Sequence, residues 1–230
     1  MEGLNNDRTA SRTKQTYIVA TRESKETKVK VELGLFPGPV SIGTGIGFLD
    51  HMLTSLACHA GWSLALDCEG DRVVDDHHSV EDCAITLGIA LREAIVERGA
   101  IARFGYAYAP LDEALARAVV DVSGRPFCDC DLQLEREAIG ELATENIGHF
   151  FASLAANAGL TLHVDVLKGS NDHHRAEAAF KALALALREA LTPAVAMASA
   201  SDAENAPAST KGTTVIKVTK REKAGEEKNE

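Results

Sequence analysis

The sequence predicts an α+β fold: a two-layer sheet-plus-helix domain made of two internally repeated halves. Three observations carry that expectation. Asp76-His77-His78-Ser79-Val80-Glu81 returns as Asp172-His173-His174-Arg175-Ala176-Glu177, and ten of the twenty positions from Asp76 to Ile95 match those from Asp172 to Leu191. Upstream, HMLTSLACHAGWSL from His51 lies over HFFASLAANAGLTL from His149, with seven identities in fourteen. Each half also reads as strands, helix, strand, helix; a sheet with one apolar face needs helices with an apolar stripe to cover it. The period is far too long for a solenoid, so the halves belong to one domain.

Taken in order, residues 1–15 are polar and expected to be loose, residues 16–99 and 100–191 are the half-repeats, and 192–230 is a tail. Thr27–Leu33 alternates apolar and polar, the period of a half-buried strand, and is read as the first strand. Pro37-Gly38-Pro39 is a turn, and Val40–Ile46 is the returning strand. Gly47 to His59 has helical apolar spacing and stops at Gly61. Trp62–Cys68 is a strand, 70–76 a loop, and His77–Arg98 a helix ended by Gly99. In the second half, Ala102–Ala109, Ala114–Val122 and Phe127–Leu134 read as strands. Asn146–Ala158 follows as a helix, Leu160–Leu167 as a strand and His173–Leu191 as the last helix. The tail turns to Ala, Ser and Pro and then to charge, which predicts mobility apart from a short strand at Thr213–Val218.

Composition narrows the function. Hydrophobic content of 45% and charged content of 25% are ordinary for a soluble globular protein. A net charge of −10 argues against nucleic acid as the main partner. No apolar run reaches the roughly 18 residues of a membrane span, and the N-terminus lacks the apolar core of a secretory signal. Five unclustered cysteines fit a reducing cytoplasm, with Cys128 and Cys130 on a strand face.

The repeated motif points to metal. On a helix the first His and the Glu stand at i and i+4 on one face, while the second His points about 100° further round. If the halves face each other, each site takes the second His of the opposite motif and the single upstream His. One set is then His51, His78, His173 and Glu177, and the other is His149, His174, His77 and Glu81. Which second His serves which ion stays open. Three imidazoles and a carboxylate leave two positions free on an octahedral ion, which suits Mn²⁺ better than Fe²⁺ or Zn²⁺. A closed structural zinc site would more often use cysteine.

These residues sit within TRESKETKVKV, GIGFLDHML, CHAGW, DDHHSVED, RFGYAYAPLDEALARAVVDVSGRPF, HFFASLA, KGSNDHHRAEAAFKAL and STKG. Together these motifs, spread from about Thr21 to Gly212, resemble the imidazoleglycerol-phosphate dehydratases of histidine biosynthesis, most of all the monofunctional fungal type. The resemblance implies a lyase that dehydrates D-erythro-imidazoleglycerol phosphate to imidazole acetol phosphate. It implies two Mn²⁺ per active site, and sites between subunits of a 24-mer built from trimers. The C–H to be broken is not activated by a carbonyl, so a substrate ring held as imidazolate by both metals is the expected route. Proton transfer then needs positioned acid–base groups; Glu26 is the main candidate, with Glu81 and Glu177 as further catalytic carboxylates. His59 matches a substrate-contacting His, and Arg103, Arg125, Lys181, Ser209 and Lys211 match the phosphate-binding set. Without the resemblance these read as a strand-edge acid, a helix C-terminal His and solvated cations. Ser55 stands where many relatives have a glutamine, and the residues after Gly212 extend past the usual end. Two rivals remain: a two-metal hydrolase, and a metal-binding cage protein, against which the cationic set and Glu26 count.

Overall fold

The computed structural model describes residues 15–194 and 218–222. The first half is built from β1 (Thr16–Glu23), β2 (Thr27–Gly34), β3 (Val40–Gly43), α1 (Gly47–Ala60), β4 (Ser63–Gly70) and α2 (His77–Arg98). The second has β5 (Phe104–Leu111), β6 (Ala114–Asp121), β7 (Phe127–Asp131), the two-residue strands β8 (Ala138–Ile139) and β9 (Leu142–Ala143), α3 (Thr144–Ala158), β10 (Thr161–Lys168) and α4 (Asp172–Ala190). A last strand, β11 (Val218–Glu222), follows.

The two main sheets share one plan. The first runs β1-β2-β4-β3 and the second β5-β6-β10-β7. In each, an antiparallel hairpin pairs with the half's last strand, which takes the third strand in parallel on its far side. The strand–helix–strand order from β3 through α1 to β4 explains that parallel pair, because a helical crossover is what lets two strands run the same way. β11 extends the first sheet by pairing antiparallel to β1, Thr16 opposite Glu222.

Strand β1 departs from the expectation that Thr27 opens the first strand: the chain enters the sheet at Thr16. Its burial does not alternate cleanly, since Tyr17, Ile18 and Ala20 are all buried. Tyr17 faces away from the helices and is covered instead by the edge of Phe36, ring centroids 5.0 Å apart. β3 stops at Gly43, not Ile46, because Thr44 and Asp50 turn the chain into α1: Asp50 Oδ1 accepts from Thr44 N at 2.8 Å. β7 likewise ends at Asp131, short of Leu134. Cys128 and Cys130 lie half-buried on it, as the alternation implied, and burial pushes their thiols up to about 11 and about 12. In the tail, pairing begins at Val218; residues 213–217 lie outside the described residues.

The helices face each other between the sheets. α2 packs on α3 and α1 on α4, so each helix pair joins the two halves. Gly61 (φ 71°) and Gly159 (φ 72°) end α1 and α3 in the left-handed conformation that glycine adopts at least cost. Phe150, Phe151 and Phe180 are fully buried, with centroids 4.7–6.1 Å apart. They flank His149 on α3 and Glu177 on α4, so the same core that holds the helices also sets their inward residues. Phe180→Ala is expected to cost about 3–5 kcal/mol of stability, read as a lower denaturation midpoint. No helix among the described residues is long and apolar enough to cross a membrane.

Candidate metal centre

The starts of α2 and α4 decide where their histidines point. Asn171 caps α4, its Oδ1 accepting from His173 N at 2.9 Å, and Asp75 Oδ1 accepts from His77 N at the same distance. Asp76 and Asp172, the first residues of the two motifs, tie down the connection between β7 and α3: Asp76 Oδ2 accepts from Ala143 N (2.8 Å), and Asp172 Oδ2 from Glu135 N (2.9 Å) and Arg136 N (2.7 Å).

With the helices so fixed, two triads form across the contact between the halves. His51 Nε2 of α1 and His173 Nε2 of α4 stand 3.1 and 3.3 Å from one oxygen, Oε2 of Glu177. His149 Nε2 of α3 stands 3.1 Å from Glu81 Oε1 of α2, and His77 stacks on His149 with centroids 4.8 Å apart. In each triad the three donor atoms lie within 4.8 Å of one another. Donors about 2.1 Å from a shared ion and at right angles stand about 3 Å apart, so the spacing suits one ion per triad. The donor set, imidazole with carboxylate, suits a borderline divalent metal.

The surroundings of the two triads differ. His77 Nδ1–H donates to Oδ1 of the buried Asn146 (2.9 Å), which leaves its Nε2 with the lone pair a metal needs. At the other triad the edge of Phe48 packs on His173, centroids 5.0 Å apart. There Lys181 Nζ lies 2.7 Å from Glu177 Oε1. Burial alone would raise the Glu177 carboxyl, but Lys181 and His51 outweigh it and hold it down to about 2.

The second histidines enter neither triad of their own chain. His78 Nδ1 is 3.1 Å from both oxygens of Asp71, and its Nε2 is 3.9 Å from Glu26 Oε2. His174 Nδ1 is 2.7 Å from Glu113 Oε2, and its Nε2 is 3.8 Å from Asp112 Oδ2. The hydrogen bonds to Asp71 and Glu113 raise the pKa of His78 and His174. Glu113 is held down to about 2 by His174 and by the backbone N–H groups of Asn171 and Ser170.

A family model described as imidazoleglycerol-phosphate dehydratase matches residues 44–187, a span that takes in both triads and both second histidines. The chain belongs to the imidazoleglycerol-phosphate dehydratase family. It is 59% identical over 200 residues to the Neurospora crassa imidazoleglycerol-phosphate dehydratase, covering 76% of this chain and 87% of that one. The Candida glabrata dehydratase is 53% identical over 191 residues, 75% and 91% of the two chains. Among solved structures, imidazoleglycerol-phosphate dehydratase from Staphylococcus aureus superposes with a TM-score of 0.70 at 40% identity, covering 76% of this chain and 99% of that one. The Pyrococcus furiosus enzyme, in complex with (S)-C348, gives 0.67 at 38% identity, over 75% and 93%. Dehydratases of this family are hydro-lyases of histidine biosynthesis, so the storage-cage and hydrolase readings fall away.

Of the remaining residues singled out in the sequence, His59 and Lys181 lie on the helix pair that carries the first triad, whereas Arg103 and Arg125 lie at the far end of the second sheet, where Arg103 N donates to Ala190 O at the C-terminus of α4. Burial and the nearby Lys181 ammonium lower the pKa of His59, on α1 where it faces α4. Arg103, at φ 73°, gives its guanidinium to Asp121 through Nε (2.7 Å) and Nη2 (3.2 Å). Arg125 lies exposed just before β7, at the same end of the second sheet. Ser209 and Lys211 lie outside the described residues. Asp71, Glu113 and Asn146 were not foreseen. Lys181, matched to the phosphate set by the resemblance and otherwise a solvated helix-face cation, stands four residues after Glu177, the spacing of the helical ion pair it makes.

Proposed function

We propose that this chain removes water from imidazoleglycerol phosphate, giving imidazole acetol phosphate, at a site completed by a second copy around two Mn²⁺. The observation that supports it best is the pairing of needs. Two triads each hold two imidazoles and a carboxylate, and two further imidazoles lie outside them with Nδ1 already engaged. A homo-oligomer in which His78 and His174 reach a neighbour's triads gives every ion three imidazoles and a carboxylate. A 24-mer built from trimers is the assembly this reading adopts.

Manganese held by His51, His173 and Glu177 and by His77, His149 and Glu81 would supply Lewis acidity toward the substrate's imidazole ring. The chain's own residues supply position and protons. Glu26 sits in the tight turn between β1 and β2, where Ser24 Oγ accepts from Glu26 N (3.1 Å) and Glu26 O accepts from Asp71 N (3.0 Å). Buried Asp82 anchors both strands at that turn through Arg22 (2.6 Å) and Thr27. The turn is rigid but the carboxylate is half-exposed, 3.9 Å from His78 Nε2. It is placed to take a proton from a substrate lying against that histidine and to return it. Lys181, paired with Glu177 at 2.7 Å, is the cation beside this chain's own triads; Arg103 and Arg125, at the far end of α4, would bring charge to a phosphate held at a neighbouring copy's site, Arg103 sharing its fork with Asp121.

Glu26→Gln tests the proton role. The amide is nearly isosteric and cannot exchange the proton, so kcat should fall about 10²–10⁴-fold, the size of a general acid–base contribution, with Mn²⁺ content and particle size unchanged. A kcat within a few-fold of the parent reduces Glu26 to a binding residue. Product analysis by phosphate assay adds the check on the reaction itself: turnover must release no inorganic phosphate.

A further inference from the structure

We infer that Glu113 and Asp71 are positioning residues that lock His174 and His78 as Nε2 acceptors, and that Glu113 does so through a bond a glutamine would invert. The inference rests on the proposed reading of both histidines as ligands. An imidazole binds metal through the nitrogen that carries no proton, and a partner that accepts from one ring nitrogen exposes the lone pair of the other. A carboxylate can only accept, so at Glu113 Oε2 and at Asp71 the proton is on Nδ1 and Nε2 is free.

The two halves reach this bond from unrelated places. Asp71 comes from the loop after β4, whereas Glu113 comes from the tip of the β5–β6 hairpin. The matching tip in the first half, between β1 and β2, carries Glu26, which lies toward His78 Nε2 instead of Nδ1. Asp71 has taken over the holding bond there, and the hairpin carboxylate is released for substrate. A repeated ancestry brings equivalent residues into equivalent contacts. Here the bond is repeated while the residue is not, which points to the bond itself as the requirement.

The holders differ in how much is asked of them. Glu113 Oε1 accepts from Ser170 N (3.1 Å), Asn171 N (2.9 Å) and Ser170 Oγ (3.4 Å), while Oε2 accepts from His174. Both oxygens are committed to donors. In Glu113→Gln the single amide oxygen goes to the backbone N–H groups, which cannot accept. The NH₂ then faces His174 Nδ1, which has to accept, and the proton moves to Nε2, where a metal must bind. Asp71 is different: both of its oxygens serve the one Nδ1, so Asp71→Asn still presents an oxygen and inverts nothing.

The test is Mn²⁺ titration of the stripped full-length protein, read by the EPR signal of free Mn²⁺, for Glu113→Gln, Glu113→Ala, Asp71→Asn and His174→Ala. Thermal unfolding of the same metal-free proteins runs in parallel. Glu113→Gln is expected to weaken one class of Mn²⁺ sites about 10–100-fold, the usual effect of losing a partner behind a ligand, and more than Glu113→Ala does. Asp71→Ala, carried alongside and lacking any acceptor behind His78, should weaken the other class of Mn²⁺ sites about 10–100-fold, and Asp71→Asn, which keeps an acceptor oxygen, should weaken it less; an Asp71→Ala protein that binds like the parent removes Asp71 from the inference. In metal-free stability the order reverses, Glu113→Ala losing more because the loop at Ser170 and Asn171 loses its anchor. If His174→Ala binds Mn²⁺ like the parent, the ligand reading itself fails. If His174→Ala loses one class of sites while Glu113→Gln binds no more weakly than Glu113→Ala, Glu113 is an anchor only and the inference is overturned.

Discussion

His78→Ala should abolish turnover and leave half the Mn²⁺ sites unfilled, although in a single chain His78 touches neither triad. Among the described residues its polar partners are Asp71 and Glu26, and its ring meets that of His77 edge-on. Removing a ligand costs more than removing the partner behind one, so affinity at the affected ion should fall beyond the roughly 10–100-fold of the latter case. The fold is not at stake, because the His78 side chain is 30% exposed and is not part of the hydrophobic core. Metal analysis, circular dichroism and activity on one preparation decide it. Full metal content and full activity would remove His78, and with it the shared site, from the mechanism. The same experiment on His174 should affect the other ion.

Stripping the metal, by chelator or by mild acid, should break a large particle into smaller species, trimers being the expected ones. On the proposed reading ligands are drawn from two chains, which would make metal binding part of the assembly energy. The signs make the acid arm specific. His78 and His174 have raised pKa values, so protons compete with metal there already above the usual 6.5. By pH 5 both are charged. Their raised pKa gives the folded subunit stability that is present below about 6.5 and lost as pH climbs through the folded value. Glu177 and Glu113, held to about 2, work the other way. Their contribution is present above the ordinary 4.5 and lost only as pH falls toward about 2. Between these windows, near pH 5, the particle should come apart while the subunits stay folded. Light scattering with circular dichroism reads both, and added Mn²⁺ at neutral pH should restore size and activity. An intact particle with verified absence of metal would show that the ions do not hold it together.

The meeting of His51 with Glu177 and of His149 with Glu81 was legible because helix spacing fixes a face, and a repeat says which faces are equivalent. The helices were legible nearly to the residue, since Gly61, Gly99 and Gly159 punctuate them. β1 was not, because Tyr17 is buried on the face away from the helices and breaks the alternation that marks a half-buried strand. The two-residue strands β8 and β9 are too short to carry any period. Asp71 and Glu113 were hidden for another reason: they come from loops that the repeat does not relate, and a carboxylate behind a ligand has no spacing rule. Asn146 sits three residues before His149 on α3, yet its contact is to His77 on a different helix, which only packing reveals.

That packing gives the second triad a mechanical character. α2 and α3 come close at Gly88, where a methyl group would meet Asn157 Cβ at 2.8 Å and Leu154 O at 2.9 Å. Two turns along the same α2, Glu81 reaches across to His149 on α3. The residues proposed to hold an ion are therefore mounted on two rods whose separation a single missing side chain sets. On that proposal, an ion there would work as a gauge of the gap. Anything that thickens the crossing pries the carboxylate from the imidazole, and a substitution at Gly88 would be felt first as lost metal and only afterwards as lost fold.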